Sequence, residues 1–126
     1  MLHRALIHLL LGLSFSSAGF AANSKDLKEE TELYHQALKS IQSEDWEEGL
    51  LRMEHFVHYF GKSKLAGNAI FWMAQVYLQK NEKALARDEL LRLLRDYPSS
   101  SRAKQAKELL VKIQADTQTG RSHENL

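Results

Sequence analysis

Residues 66–98 constrain this chain more than any other stretch, because two helical patterns stand back to back in it with a short interruption between them. Ala69, Ile70, Met73, Ala74 and Tyr77 recur at the three- and four-residue spacing of one helix face. Asn81 breaks the pattern, and Ala86, Leu90, Leu93, Leu94 and Tyr97 form a second face that Pro98 ends. Two apolar faces joined by so short a turn can bury themselves only against each other, as an antiparallel αα-hairpin. No strand alternation competes. A single Pro and an excess of Leu, Ala, Glu, Lys and Gln over Val and Thr favour helix throughout, so the expected class is all-α.

The flanking sequence adds three more helices. Over residues 25–42, Leu27, Leu33, Tyr34, Ala37, Leu38 and Ile41 converge on one side. After the turn at residues 43–45, Asp45 with Glu48 fits a capping box, and Glu47 and Glu48 suit the positive end of a helix dipole. The helix that starts there has Trp46, Leu50, Met53, Phe56, Val57 and Phe60 as its apolar face, Gly61 at the place of a left-handed cap, and Ser63 as cap for the next helix. That third helix, about residues 64–79, is apolar nearly all round and must be covered on more than one side. In the fourth, about 82–96, Leu85 and Leu91 suggest a second buried strip, with Arg87, Arg92 and Arg95 outward. A fifth, about 101–115, turns Ala103, Ala106, Leu109, Leu110 and Ile113 inward and Lys104, Lys107 and Lys112 outward. Residues 116–126 lack periodicity and read as a flexible tail, leaving 25–115 as the helical domain.

The N-terminus reads as a signal peptide, residues 1–21: Arg4 gives the positive start, residues 5–15 the apolar run, and residues 16–22 a small-residue region with a cut after Ala21. The expected location is periplasmic or secreted, with no stable membrane insertion after cleavage. Retention as an anchor is the other outcome, although the apolar run is shorter than the roughly 20 residues a spanning helix needs. There are no cysteines, which excludes disulfides, a thiol nucleophile and a thiolate zinc site. Without Arg4 the remaining 16 basic side chains equal the 16 acidic ones, so nucleic acid is not an expected partner. The charge is segregated: residues 22–58 hold 9 acidic and 4 basic side chains, residues 59–126 hold 7 and 12. These are solvated helix faces, or a dipolar surface that steers a charged partner or promotes a homo-oligomer.

Sliding the chain along itself by 37 residues places Ala37 on Ala74, Glu44 on Asn81, Gly49 on Ala86, Met53 on Leu90, Phe56 on Leu93 and Phe60 on Tyr97. The small residues mark the closest approach of each helix pair, Ala37 against Gly49 and Ala74 against Ala86. A Gly inside a helix costs about 1 kcal/mol relative to Ala, so Gly49 implies a backbone pressed on its neighbour. With Met73, Ala74, Tyr77, Ala86, Leu90 and Pro98 at the signature positions, the second unit resembles a tetratricopeptide repeat; the first departs with Gly49 and Gly61 where the family has Ala and Pro. The longer step is similar to the C-terminal repeat domain of the Tol-Pal system protein (cell division coordinator) and to outer-membrane assembly lipoproteins. The coordinator's N-terminal coiled coil and the lipoproteins' lipid-bearing Cys have no counterpart here. The resemblance covers about residues 30–114 and implies an α-solenoid of two helix hairpins plus a closing helix.

It also implies a groove lined by the first helix of each pair. On that basis the protein-binding residues are Tyr34, Leu38, Asn68, Phe71, Gln75 and Leu78, together with Thr31, Ile41, Gln42 and Gln79. Equally, Tyr34, Phe71 and Leu78 could simply complete the core. Lys, Asn and Arg do not occupy the positions of the family's carboxylate clamp, which argues against a chaperone-tail receptor. No catalytic chemistry stands out. Glu54, His55, His58 and His35 lack a metalloprotease spacing and read as surface groups, not a metal site, and residues 99–101 read as turn and cap serines. No phosphate-cradling loop implies a cofactor. The expected function is a protein-protein interaction adaptor that binds a protein or peptide partner, in envelope assembly or division; the alternative is a structural subunit that self-associates or docks in an envelope complex.

Overall fold

A computed structural model describes residues 16–124 of the chain, with side chains over 24–121. The described residues are all-α, with no strand among them: α1 Ser16–Gln42, α2 Trp46–Tyr59, α3 Ala66–Gln79, α4 Lys83–Asp96 and α5 Ala103–Glu124. Residues 1–15 of the expected signal peptide lie outside the described residues, and the expected cut after Ala21 falls within α1. No described helix is long and apolar enough to cross a membrane. The part of α1 up to Glu32 belongs to one unit and residues 33–42 to a second unit that holds every other helix. In the first unit, Leu27 is exposed and Thr31 donates its hydroxyl to the Leu27 carbonyl at 2.9 Å.

In the second unit each helix packs on the next. Tyr34 and Phe56 meet edge to face with ring centroids 5.4 Å apart, tying α1 to α2, while α3 lies between α2 and α4, and α5 closes on α4. The core is continuous from Tyr34, Ala37 and Ile41 through Met53 and Phe56 to Ile70, Met73, Leu90, Leu93, Ala106 and Ile113. Ala66, Gly67, Ala69, Ile70, Phe71, Met73, Ala74 and Val76 are all buried, as expected of a helix that is apolar nearly all round.

The 37-residue register holds at the level of individual hydrogen bonds. After α1, the amides of Ser43, Glu44 and Asp45 donate to Lys39, Ile41 and Ser40; after α3, those of Lys80, Asn81 and Glu82 donate to Val76, Leu78 and Tyr77. The loops that lead into α3 and α5 match as well. Ser63 donates to Phe60 and Ala66 to Ser63, as Ser100 does to Tyr97 and Ala103 to Ser100. Each serine hydroxyl then accepts an amide two residues on, Ser63 from Leu65 at 2.9 Å and Ser100 from Arg102 at 3.2 Å. The loop into α5 thus repeats the loop into α3.

Several local expectations are corrected. Left-handed backbone falls at Glu44 (φ 60°) and Asn81 (φ 59°), whereas no described glycine has positive φ, Gly61 included. The reason is that the helix-to-helix turn of each hairpin needs one left-handed residue, while the wider loops after α2 and α4 turn on serine. Asp45 is the residue before α2 but makes no side-chain capping bond, so the capping box does not form. Gly49 approaches Ile41, not Ala37: a Cβ there would lie 2.7 Å from Ile41 Cγ1 and 3.4 Å from its backbone nitrogen. Leu27 and Leu33 of α1 and Leu85 and Leu91 of α4 stay exposed, because no described helix covers those sides. Arg92 is half-buried, forking onto Glu54 at 2.8 and 3.0 Å. Finally, α5 continues through residues 116–124 where a tail was expected; it contains no Pro, and Thr117 and Thr119 return their hydroxyls to the carbonyls of Ile113 and Ala115. Side chains 114–121 are exposed along that extension.

Candidate binding groove

A groove of about 430 Å3 runs along α3, bounded by the end of α1, the start of α2 and the start of α5. Ile41, Gln42, Glu44 and Trp46 form one side, Phe71, Trp72, Gln75, Val76 and Gln79 the base, and Arg102 one end. From Phe71 to Gln79 the helix rises roughly 12 Å, enough for three or four extended residues. Half-buried Trp46 and Trp72 supply flat apolar surface. Gln75 and Gln79, one turn apart on α3, present donors and acceptors along it.

The six residues expected to bind divide in three. Phe71 and Gln75 line the groove, although Phe71 is only 8% exposed and belongs to the core beneath it. Asn68 sits just beyond Arg102, in an adjoining depression with Ser101, Lys104, Gln105 and Glu108, and accepts a hydrogen bond from Ser101 at 3.3 Å. Tyr34 is equally buried, and Leu38 and Leu78 are half-buried against the core; none of the three lines the groove. Of the further positions, Ile41, Gln42 and Gln79 do line it.

Tyr34 and Phe71 stand 37 residues apart, at matching positions of the two helix hairpins, and reach burial by different chemistry. Burial pushes the Tyr34 phenol above its ordinary value, opposed by a hydrogen bond from the Trp72 indole and by the charge of Arg102. Phe71 has no polar handle and is capped by the Arg102 guanidinium, whose carbon stands 5.2 Å from the ring centroid. Arg102 also donates to Gln105 Oε1 at 2.6 Å.

Trp46, Trp72 and Arg102 were not anticipated as groove residues. One signal could have found Arg102: a second application of the 37-residue step, from Lys28 through Leu65, reaches it and marks the start of another helix. His55 and His58 pack on Tyr59 at 6.4 and 5.0 Å, and Glu54 holds Arg92. On that side of the molecule, burial raises the Glu89 carboxyl above its usual range although Arg92 lies 3.3 Å away and pulls it down. Glu47 reaches Lys80 at 2.6 Å, joining α2 to the end of α3. No protein-family model matches the chain, and no curated protein matches it.

Proposed function

We propose that this chain is a tetratricopeptide-like α-solenoid, two helix hairpins plus a closing helix, that acts by binding a segment of another protein along α3. The observation that carries this reading is the recurrence of every turn and cap hydrogen bond at 37 residues, which makes α1, α3 and α5 successive first helices of one repeat. First helices in such repeats share one face, and support comes from the groove lining, in which Ile41 and Gln42 belong to α1, Trp72, Gln75 and Gln79 to α3, and Arg102 immediately precedes α5. Aromatic anchors with amide hydrogen bonding suit a peptide better than a rigid cofactor. The signal-peptide pattern supports a periplasmic or secreted location, and the resemblance to envelope repeat proteins suggests that the segment bound belongs to a partner in envelope assembly or division.

A photo-crosslinking residue placed at Gln75 in the native host tests this against one at exposed Arg87 on α4. Gln75 should capture a discrete protein partner that Arg87 does not. Equal labelling from both sites, or none from Gln75, would contradict the groove. Fractionation should place the protein outside the cytoplasm with about twenty residues removed.

A second reading, self-association, is favoured by α5. Val111 is 68% exposed where its equivalent Ala74 is fully buried, because no further described helix follows α5 to cover it. A mass that rises with concentration and falls with Val111→Lys would support that reading.

A further inference from the structure

We propose that the segment taken by the groove carries a carboxylate side chain next to a large apolar one, and that Arg102 receives the carboxylate; this rests on the groove being a protein-binding site. The argument begins from a mismatch among the arginines. Three are half-buried among the described residues: Arg52, Arg92 and Arg102. Arg52 holds Glu48 at 2.5 Å, and Arg92 forks onto Glu54 while also touching Glu89. Arg102 has no carboxylate within 4.0 Å among the described residues; its partners are the neutral amide of Gln105 and the face of Phe71.

A partly desolvated guanidinium with only neutral partners keeps its charge unmatched, and its planar fork retains donors suited to a carboxylate. That charge acts inward, since it lowers the Tyr34 phenol against the effect of burial. The adjoining depression adds Lys104 on the same side, with Glu108 as its acid, beyond ion-pair distance of Arg102. The chain around this end is basic, with 12 basic and 7 acidic side chains over residues 59–126, while the one carboxylate lining the groove, Glu44, belongs to the acidic segment 22–58 on the opposite side. An acidic segment is therefore steered to this end. Its apolar neighbour then meets Trp72 and Trp46, and its main chain runs past the amides of Gln75 and Gln79. An occupant with a basic residue at this position would set two cations together with no acid within reach of Arg102.

The test uses the full chain and two capped, fluorescein-labelled octapeptides in a Ser/Gly background, one with Glu following Phe and its twin with Gln in place of Glu. In low salt the Glu peptide should bind about five- to tenfold tighter by fluorescence anisotropy, the range of a well-formed, partly buried ion pair. The ratio should shrink towards one at 1 M salt. Arg102→Gln should abolish the ratio without weakening the Gln peptide, and Arg102→Lys, which keeps the charge, should retain part of it. Thermal melts of both variants separate loss of recognition from loss of fold. Equal binding of the twins would overturn the carboxylate and leave the groove standing. A preference that persists in a folded Arg102→Gln variant would overturn the role of Arg102, and failure of both peptides to bind at millimolar concentration would overturn the groove itself.

Discussion

At the end of α1 the chain leaves the helix through Glu44 at φ 60°, and at the end of α3 through Asn81 at φ 59°, with matching main-chain hydrogen bonds on either side. The side chains at these matched places differ widely. Gly49 stands for Ala86, Tyr34 for Phe71, Arg52 for Glu89. The backbone repeats because a hairpin of fixed length admits few turn solutions, whereas the side chains answer to different neighbours. The first hairpin carries backbone compromises, a left-handed Glu and a helical Gly. The second supplies the central helix and, with it, the base of the groove.

The largest effect expected from probing this contrast is at the matched aromatics. Phe71→Ala removes a buried ring from the central helix and should cost about 3 to 4 kcal/mol in chemical denaturation. Tyr34→Phe keeps the ring and leaves only the Trp72 N–H without its acceptor, so it should cost about 1 kcal/mol. Similar losses from the two would mean that the positions are not packed as described.

Next comes the close approach within the first hairpin. Gly49→Val would drive branched carbon into Ile41 and should destabilise by about 2 kcal/mol through overpacking. Ala86→Val, at a site that already accommodates a Cβ, should cost less. A reversed order in their melting temperatures would break the assignment of Gly49 to Ile41.

The turns should respond in the opposite direction. Glu44→Gly relieves a left-handed non-glycine residue, partly offset by a freer unfolded chain, and should stabilise by about 0.5 to 1 kcal/mol. Asn81→Gly should change little, since Asn tolerates that conformation. A destabilised Glu44→Gly variant would contradict the backbone geometry.

The smallest effect concerns Glu89, the counterpart of Arg52. Its carboxyl is raised by burial above the ordinary 4.5, so the stability linked to its protonation is present below that pH and is lost as pH climbs through the raised value. Glu89→Gln cannot ionise, and stability measured from pH 4 to 7 should fall less in that variant than in the wild type. Parallel profiles would show that Arg92 cancels the burial.

The helix order, the 37-residue register and the enclosure of α3 were legible because each depends on side-chain periodicity or size, which sequence displays directly. Gly49 announced a close approach, but not that the helix axes cross one turn beyond Ala37, at Ile41. Left-handed backbone was sought at Gly61 by composition; the chain places it where the turn demands, at Glu44 and Asn81. Leu27, Leu33, Leu85 and Leu91 fit helical faces yet stay exposed, since periodicity reports a face and not whether anything covers it. Of the groove, the amides Gln75 and Gln79 followed from the repeat. Trp46 and Arg102 enter it only through the packing of neighbouring helix ends, and Trp72, on α3 itself, faces it only because that helix is apolar nearly all round and its pattern does not single out one side.

The most direct test of the groove as a binding site fills it without touching the core. Gln75 is half-buried on the groove side of α3, so Gln75→Trp should occupy the space between Trp46 and Trp72 and leave the fold nearly unchanged. Measured against the partner captured by crosslinking at this position, the affinity should fall by about tenfold or more, as expected when a site's centre is blocked, with a melting temperature close to the wild type. A stable Gln75→Trp protein that binds this partner with undiminished affinity would contradict the account.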